Sequence, residues 1–468
     1  MKNIQLLSLL ILLCLLYSSL SGRAIEIVSQ VHPEGEERKT RDTLSISNLD
    51  YGTLVKVIRE PNGMFFIHTI IGLKKLPVRK HQGIYKADLR IIGSVSEREG
   101  NVISQFEEPT PVELSEERME RIAHRPFSLY NMFPLIPGEY RLLMKMTDDA
   151  SGDSIQVERD IIVPETESFP WLGSPILGYR VESAPPENPK PFKLDQSQIF
   201  CHPGNLFHFG DDLIVMFQVL GLDPERKNSA RVEYRIFSEE RLVLMRGKKL
   251  DEYKSLLSIR EDFSLLKILP GHYRMEIQIK HSTGEIQSTT ELFIVTDAED
   301  MQKPWVYSRT LLPASHPAYP FALGGQHFNK GEMDKARVYF EKAYESQPDS
   351  QEISLRLAQT CLLLKDYERA KSALIPIRDR SDVGYDVYYF LGKAHLGLQE
   401  FREAILVFGK ALARFGANID LLNSMGECHY RVGEPEEAIV LWEQSLRIEP
   451  NQQDIRDWIR KARSESWY

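Results

Sequence analysis

Leu391-Gly392-Lys393-Ala394-His395-Leu396-Gly397-Leu398-Gln399-Glu400-Phe401-Arg402-Glu403-Ala404-Ile405-Leu406-Val407-Phe408-Gly409-Lys410-Ala411 reads as two short helices folded back on each other. Small residues suit places where two helices cross closely, and large ones fill the space between successive pairs. The same frame recurs along the last third of the chain: Ala336, Ala370, Ala404 and Ala438 are 34 residues apart three times in succession. Leu323-Gly324 precede Ala336, Phe340, Ala343 and Pro348; Leu357-Ala358 precede Ala370; Met425-Gly426 and Gly433 precede Ala438, Trp442 and Pro450. The second copy departs most, with Lys365 where glycine usually turns the chain and no proline at its end.

A 34-residue period with this residue set resembles the tetratricopeptide repeat (TPR), an all-α solenoid of helix pairs. Four repeats are expected over 317–450, followed by a capping helix and tail over 451–468 with Ile455, Trp458 and Ile459 on one face. In that family the first helix of each repeat lines a concave groove. The resemblance therefore assigns a protein or peptide partner to Phe321, Phe328, Asn329, Leu355, Gln359, Leu362, Tyr389, Lys393, Asn423, Glu427, Tyr430 and Arg431. For each of these residues, packing against neighbouring helices is the competing reading. Phe321 and Gly325 stand where the family's carboxylate clamp needs a cation and an Asn, so that type of partner is disfavoured.

Upstream, the period changes from helical to two. Leu135-Ile136-Pro137-Gly138-Glu139-Tyr140-Arg141-Leu142 returns as Ile268-Leu269-Pro270-Gly271-His272-Tyr273-Arg274-Met275. Alternating apolar residues follow in both, at Tyr140, Leu142, Met144, Met146 and at Tyr273, Met275, Ile277, Ile279, which predicts half-buried strands. Each strand meets a glycine turn and a return strand, as a hairpin does. A second echo sets Phe65–Leu73 against Ile214–Leu222. The landmark offsets, 149 for Gly72/Gly221 and 133 for Tyr140/Tyr273, leave 16 extra residues in the first copy. A helical insert near 113–124 is the place expected for them.

The expected fold is therefore multidomain, with two immunoglobulin-like β-sandwich modules, 25–165 and 193–297, ahead of the helical array. A Pro-rich connector is expected over 166–192 and a linker over 298–316. Barrels suit short strands with frequent turns as well. The Pro-Gly-x-Tyr entries invite comparison with a tyrosine corner, in which the hydroxyl bonds back to the chain. Roughly residues 45–297 resemble the β-rich N-terminal region of bacterial exported GWxTD-domain proteins. The Gly-Trp-x-Thr-Asp signature is absent, so no function tied to it carries over.

Lys2, the apolar block Leu6 to Leu16 and the small residues up to Ala24 read as a signal peptide cleaved after residue 24. The block is shorter than the roughly 20 apolar residues of a spanning helix. A periplasmic or secreted location, with no membrane span after cleavage, follows as an expectation. A net charge of −9 with no basic run argues against nucleic acid. Cys201, Cys361 and Cys428 remain after the signal, an odd number and widely scattered, so that no disulfide framework or CxxC metal site can be read from them.

No catalytic motif or cofactor fingerprint is present, which points to a non-catalytic protein needing no cofactor. The cluster Cys201-His202-Pro203-Gly204 with His208, Asp211 and Asp212 could ligate a metal, and Asp148-Asp149 with Asp153 could suggest calcium. Turn structure explains both. The sequence thus favours an exported scaffold that recruits a protein partner through its repeats. The competing functions are a carbohydrate- or peptidoglycan-binding protein using the β modules, and a metal-dependent enzyme with a site near His202.

Overall fold

The computed structural model describes residues 50–165, 170–185, 189–281, 284–308 and 311–465. The expected signal peptide, 1–24, lies outside them. The chain divides into two compact units, Met1–Ser315 and His316–Tyr468. No helix among the described residues is long and apolar enough to cross a membrane.

The first unit is β-rich and carries the duplication in its strand order. In the first copy, Asp50–Arg59, Phe65–Leu73 and Phe127–Pro134 lie side by side, all antiparallel. Ile84–Glu97 pairs with Val102–Ser115 on one edge and Gly138–Asp148 on the other, and Ser154–Val163 follows. The second copy repeats this with Ile176–Gly178, Asp212–Phe217 and Ile259–Ser264. Its other set is Arg241–Lys249, Arg231–Ser238, Gly271–His281 and Gly284–Thr296. Tyr140, Leu142, Met144 and Met146 are buried on one face, as are Tyr273, Met275, Ile277 and Ile279, because successive side chains of a strand point to opposite faces.

Both Pro-Gly-x-Tyr entries close on themselves. The Tyr140 hydroxyl donates to the Pro137 carbonyl at 2.8 Å and the Tyr273 hydroxyl to the Leu269 carbonyl at 2.6 Å. Gly138 has φ +149°, and a Cβ there would meet the Tyr140 hydroxyl at 2.4 Å, so the ring and the glycine are one device.

Helix α1, Glu116–Ile122, supplies the insert, capped by Ser115, whose hydroxyl accepts from the Arg118 N–H. Residues 113–115 are strand instead, held in the hairpin by pairing of Lys86 with Glu113. The first copy's extra length also goes into its 14-residue strands Ile84–Glu97 and Val102–Ser115, against 8 and 9 residues in the second. The second copy has a helix of its own, α2, Pro224–Ser229, with Asp223 as N-cap.

The Pro-rich stretch 166–192 contains strands. Trp171–Leu172 pairs with Val219–Leu220, Ile176–Gly178 with Asp212–Phe217, and Arg180–Ser183 with Ser197–Phe200. Pro170, Pro175 and Pro185 flank these strands, where a missing N–H costs no ladder bond. Within 298–316, Trp305–Ser308 runs parallel to Phe127–Pro134, so the chain returns to the first copy. A core joins the two copies: Leu54, Ile58, Ile70 and Tyr130 pack with Phe192, Leu194, Ile199, Cys201, Ile214 and Met216. This explains why Phe65–Leu73 is buried at every position instead of alternating.

Polar groups stitch the same joint. The Tyr130 hydroxyl donates to the Cys201 carbonyl and accepts from the Cys201 N–H, at 3.0 and 2.8 Å. The Gln218 amide accepts from the Arg59 N–H and donates to the Arg59 carbonyl, both at 2.8 Å. His68 Nδ1 accepts from the Phe192 N–H at 2.8 Å, and burial drives the imidazole down to about 3. Glu60 Oε1 lies 3.9 Å from His68 Nε2, and burial pushes that carboxyl up to about 7.

The second unit is a run of helices. Four pairs follow one another: α3 Ala318–Asn329 with α4 Met333–Ser346, α5 Gln351–Leu363 with α6 Tyr367–Leu374, α7 Tyr385–Gly397 with α8 Phe401–Phe415, and α9 Ile419–Arg431 with α10 Pro435–Ile448. The chain closes on α11, Gln453–Glu465. Ala336, Ala370, Ala404 and Ala438 are fully buried where each pair crosses. A Cβ on Gly324, Gly392 or Gly426 would overlap Phe340, Phe408 or Trp442 at 2.7, 2.3 and 2.3 Å. In the second pair Ala358 faces a smaller core with Leu374 in the aromatic's place, and Pro376 stops α6 at 8 residues. Lys365 nevertheless makes the turn, at φ 61°, as Gln399 does at 63° and Gly331 and Gly433 do at 79° and 84°.

Candidate functional site

The turns set how the first helix of each pair presents its side chains. His327, His395 and His429 sit at equivalent places, and Nδ1 of each meets Glu332, Glu400 or Glu434 at 2.6, 2.6 and 2.7 Å. The backbone N–H of each glutamate also donates to the histidine carbonyl, at 2.9 Å in all three. Cys361 and Asp366 take these places in the second pair, whose turn keeps the backbone bond at 2.8 Å. These acids then tie neighbours together: Arg337 reaches Asp366 at 3.3 Å, Lys371 reaches Glu400 at 2.9 Å and Arg402 reaches Glu434 at 3.7 Å. Sequence reasoning passed over this ladder, although the His-x4-Glu spacing was visible in three copies.

With the pairs locked, α7, α9, α10 and α11 line an open pocket of about 240 Å³. Its walls are Tyr389 and Lys393 of α7, Asp420, Asn423, Ser424 and Glu427 of α9, Trp442 of α10, and Ile455 and Trp458 of α11. Four of the twelve groove residues inferred from sequence thus meet in one place: Tyr389, Lys393, Asn423 and Glu427. Tyr389 stacks on Tyr385 with ring centroids 5.5 Å apart, and burial pushes its phenol up to about 12. Asn423 donates to Gln452 at 2.8 Å, which orients the amide; its buried Oδ1 has no hydrogen-bond partner among the described residues. Gln452 is itself held by the Ser445 and Glu449 carbonyls at 3.1 and 2.8 Å. Glu427 pairs with Arg431 one turn on, at 3.5 Å.

The other inferred residues divide. Phe321 is buried against Phe340, with ring centroids 5.5 Å apart, so it belongs to the core of its pair. Tyr430 packs into the cluster of Trp442, Ile459 and Ala462 and touches Trp458 at 5.5 Å between ring centroids. It seals the cap against α9. Arg356 lies over the Phe328 ring at 5.7 Å and donates to Gln359 at 3.2 Å, bringing two inferred residues together around a cation that sequence reasoning did not single out. Leu355 and Leu362 are half-buried, and Asn329 and Arg431 are exposed. Asp420, Trp442 and Trp458 were missed as pocket walls. The 34-residue step from Asp386 to Asp420 was the available signal for the first; the tryptophans face the pocket only because α11 docks as it does.

The clusters with possible metal chemistry are organised as turns. His202 is buried, its Nδ1 accepts from the Gly204 N–H at 3.1 Å, and its ring packs on Tyr51. Burial takes its imidazole down to about 4. The Cys201 thiol is buried and pushed up by desolvation; Asp211 accepts from the His208 N–H at 2.8 Å and pairs with Lys303. Asp148 pairs with Arg79 at 2.9 Å and Asp149 with Arg90 at 2.6 Å. No group of three metal-capable side chains converges among the described residues. Cys201, Cys361 and Cys428 are free and buried.

Comparison with known proteins agrees with the helical geometry. Models of the tetratricopeptide repeat match residues 328–383 and 389–454. The human interferon-induced protein with tetratricopeptide repeats 2 is 29% identical over 125 residues, which span 25% of this chain and 26% of that protein. The chain therefore covers about a quarter of that relative's length. Among solved structures, a crystal structure of MamA is 24% identical with a TM-score of 0.30, covering 31% of this chain and 84% of MamA. A thermophilic TPR protein from Thermus thermophilus is 22% identical with a TM-score of 0.27, covering 32% of this chain and 82% of its own. The C-terminal unit is a TPR array.

Proposed function

We propose that this protein is an exported, non-catalytic scaffold whose TPR array grips a segment of a protein partner in its concave groove, in a bacterial envelope assembly. TPR arrays serve protein–protein interaction in general, and the observation that carries the reading here is the pocket between α7, α9 and α11. It combines three aromatic rings, of Tyr389, Trp442 and Trp458, with the polar side chains of Lys393, Asp420, Asn423, Ser424 and Glu427, a mixed wall that suits contact with a peptide segment. In this reading the two β copies are immunoglobulin-like sandwiches that anchor or space the array. The strand order that both copies repeat, three antiparallel strands in one sheet and four in another, supports that assignment. Export rests on the apolar N-terminal block, and the envelope setting on the resemblance of the β region to exported GWxTD-domain proteins.

The test is recovery of partners from cell-envelope extracts by the full chain and by a chain lacking 317–468. Loss of a specific partner on deletion supports the reading. Undiminished recovery of every partner would remove the array from the binding surface.

A further inference from the structure

The two β copies differ at one matching edge. In the first, Val102–Ser115 is the outer strand beside Ile84–Glu97. It turns Ile103, Phe106, Val112 and Leu114 into the core and carries Pro109 and Pro111 opposite Arg90 and Asp88. Proline has no N–H to offer a further strand, so that edge is blunted. The strand in the same place in the second copy, Arg241–Lys249, has no proline. It exposes Leu242, Val243 and Met245 at 46, 42 and 54%. Arg231–Ser238 pairs with one side of it, and no strand among the described residues pairs with the other.

The Lys249 end shows which backbone groups face that free side. The Lys249 N–H donates to the Glu252 carboxylate at 3.0 Å and so lies outside the ladder. Backbone groups alternate in direction along a strand, and the register is unbroken from Lys249 through Gly247 to Met245. The N–H and C=O groups of Gly247 and Met245 therefore face the free side as well.

Charge narrows what can dock there. Arg231 and Lys249 stand directly opposite each other, and neither side chain has an acid partner among the described residues. Like charges so placed oppose one another, and an acid beside them relieves both. Arg246 and Lys248, by contrast, already reach Glu261 at 3.2 and 2.9 Å. Cations on an edge strand ordinarily guard it against its own kind. Here antiparallel self-pairing about Met245 sets Arg241 against Lys249 and Leu242 against Lys248, which disfavours a second copy of this chain.

We propose that the free side of Arg241–Lys249 takes up an extended segment of a protein partner as a further strand, apolar in its middle and acidic at the end beside Lys249 and Arg231. The backbone groups of Met245 and Gly247 hold the segment, and Leu242, Val243 and Met245 cover its apolar side chains. This is a second interaction site, on the β-rich unit, and it does not depend on the groove reading.

The probe is a dye-labelled peptide, Asp-Val-Thr-Val-Thr-Val-Asp, followed by fluorescence anisotropy on the full chain. It is compared with its lysine-flanked counterpart and with the acidic peptide N-methylated at its five middle residues. The acidic peptide is expected to bind, more weakly in high salt, and the methylated one is not. Met245→Pro removes a donor on the free side only, so it should weaken binding about tenfold with unchanged melting. Lys249→Gln should weaken it about three- to fivefold, the range for an exposed charge pair. No binding of the acidic peptide, equal binding of the lysine or the methylated peptide, or unchanged affinity in Met245→Pro would overturn the proposal. If Met245→Pro melts early, the methylated peptide on the parent chain decides. A dimer in sedimentation that Met245→Pro dissolves would put a second copy on the edge and overturn the acidic partner.

Discussion

Both units of this protein repeat a pattern of elements along the chain, and they use repetition in opposite ways. In the β-rich unit the two copies turn apolar surface toward each other and fuse: Phe192, Ile199 and Cys201, which follow the strand Ile176–Gly178, sit in a core shared with Tyr130 and Met216. The tail strand Trp305–Ser308 then returns to the first copy. In the array each helix pair touches its neighbours in a row, and a single helix, α11, ends it by covering Trp442. Fusion spends a repeat's faces on internal contacts. Stacking leaves one face of every repeat open, which is why recognition is placed along the array and, on the sheets, only at an edge.

That contrast can be broken by stability measurements. The largest effect is expected at Phe192, fully buried and held at φ 57° by its surroundings. Phe192→Ala should cost the β-rich unit about 3–5 kcal/mol in denaturant unfolding, leaving the array's transition in place. Loss of both transitions together would show that the units do not unfold separately.

Next comes Glu60, whose carboxyl is pushed up to about 7. Its contribution to stability is present below the unfolded value of 4.5 and is lost as pH rises through the folded value. Glu60→Gln does not titrate, so it should gain on the parent by on the order of 1–3 kcal/mol between about pH 5 and about pH 8. His68 and His202 have the opposite sign, being lowered, but occur in both proteins and cancel in the difference. Melts at the two pH values that show no relative gain would refute the buried state of Glu60.

Within the array, Gly392→Ala should cost about 1–3 kcal/mol, because the new methyl overlaps Phe408. Adding Phe408→Leu should restore much of it, as the second repeat already pairs Ala358 with Leu374. Failure of the second change to rescue would mean that the second repeat is compensated elsewhere. The smallest effect is expected at Lys365, whose left-handed backbone favours glycine: Lys365→Gly should raise the array's stability by about 1 kcal/mol.

What sequence made legible follows from periodicity. The 34-residue step located all four helix pairs, since crossing points tolerate only small residues, and period-two alternation located the paired strands after Tyr140 and Tyr273. Strands such as Ile176–Gly178 were hidden because three-residue strands in a Pro-rich stretch have no period to detect. Glu113–Ser115 looked helical because of the charged run that follows it; cross-strand pairing with Lys86 decided otherwise. In the groove, Tyr389, Lys393, Asn423 and Glu427 could be placed by counting along the repeat. Trp442 and Trp458 could not, because their exposure to the pocket depends on how α11 docks.

The central claim is that the partner lies along the open face of the array. Photocrosslinking tests it most directly, with a photoreactive phenylalanine analogue placed once at Tyr389, in the pocket, and once at Leu406, which is 69% exposed on the second helix α8. The account predicts a discrete crosslinked partner from position 389 and none from 406. The same partner captured from 406 and not from 389 would contradict it.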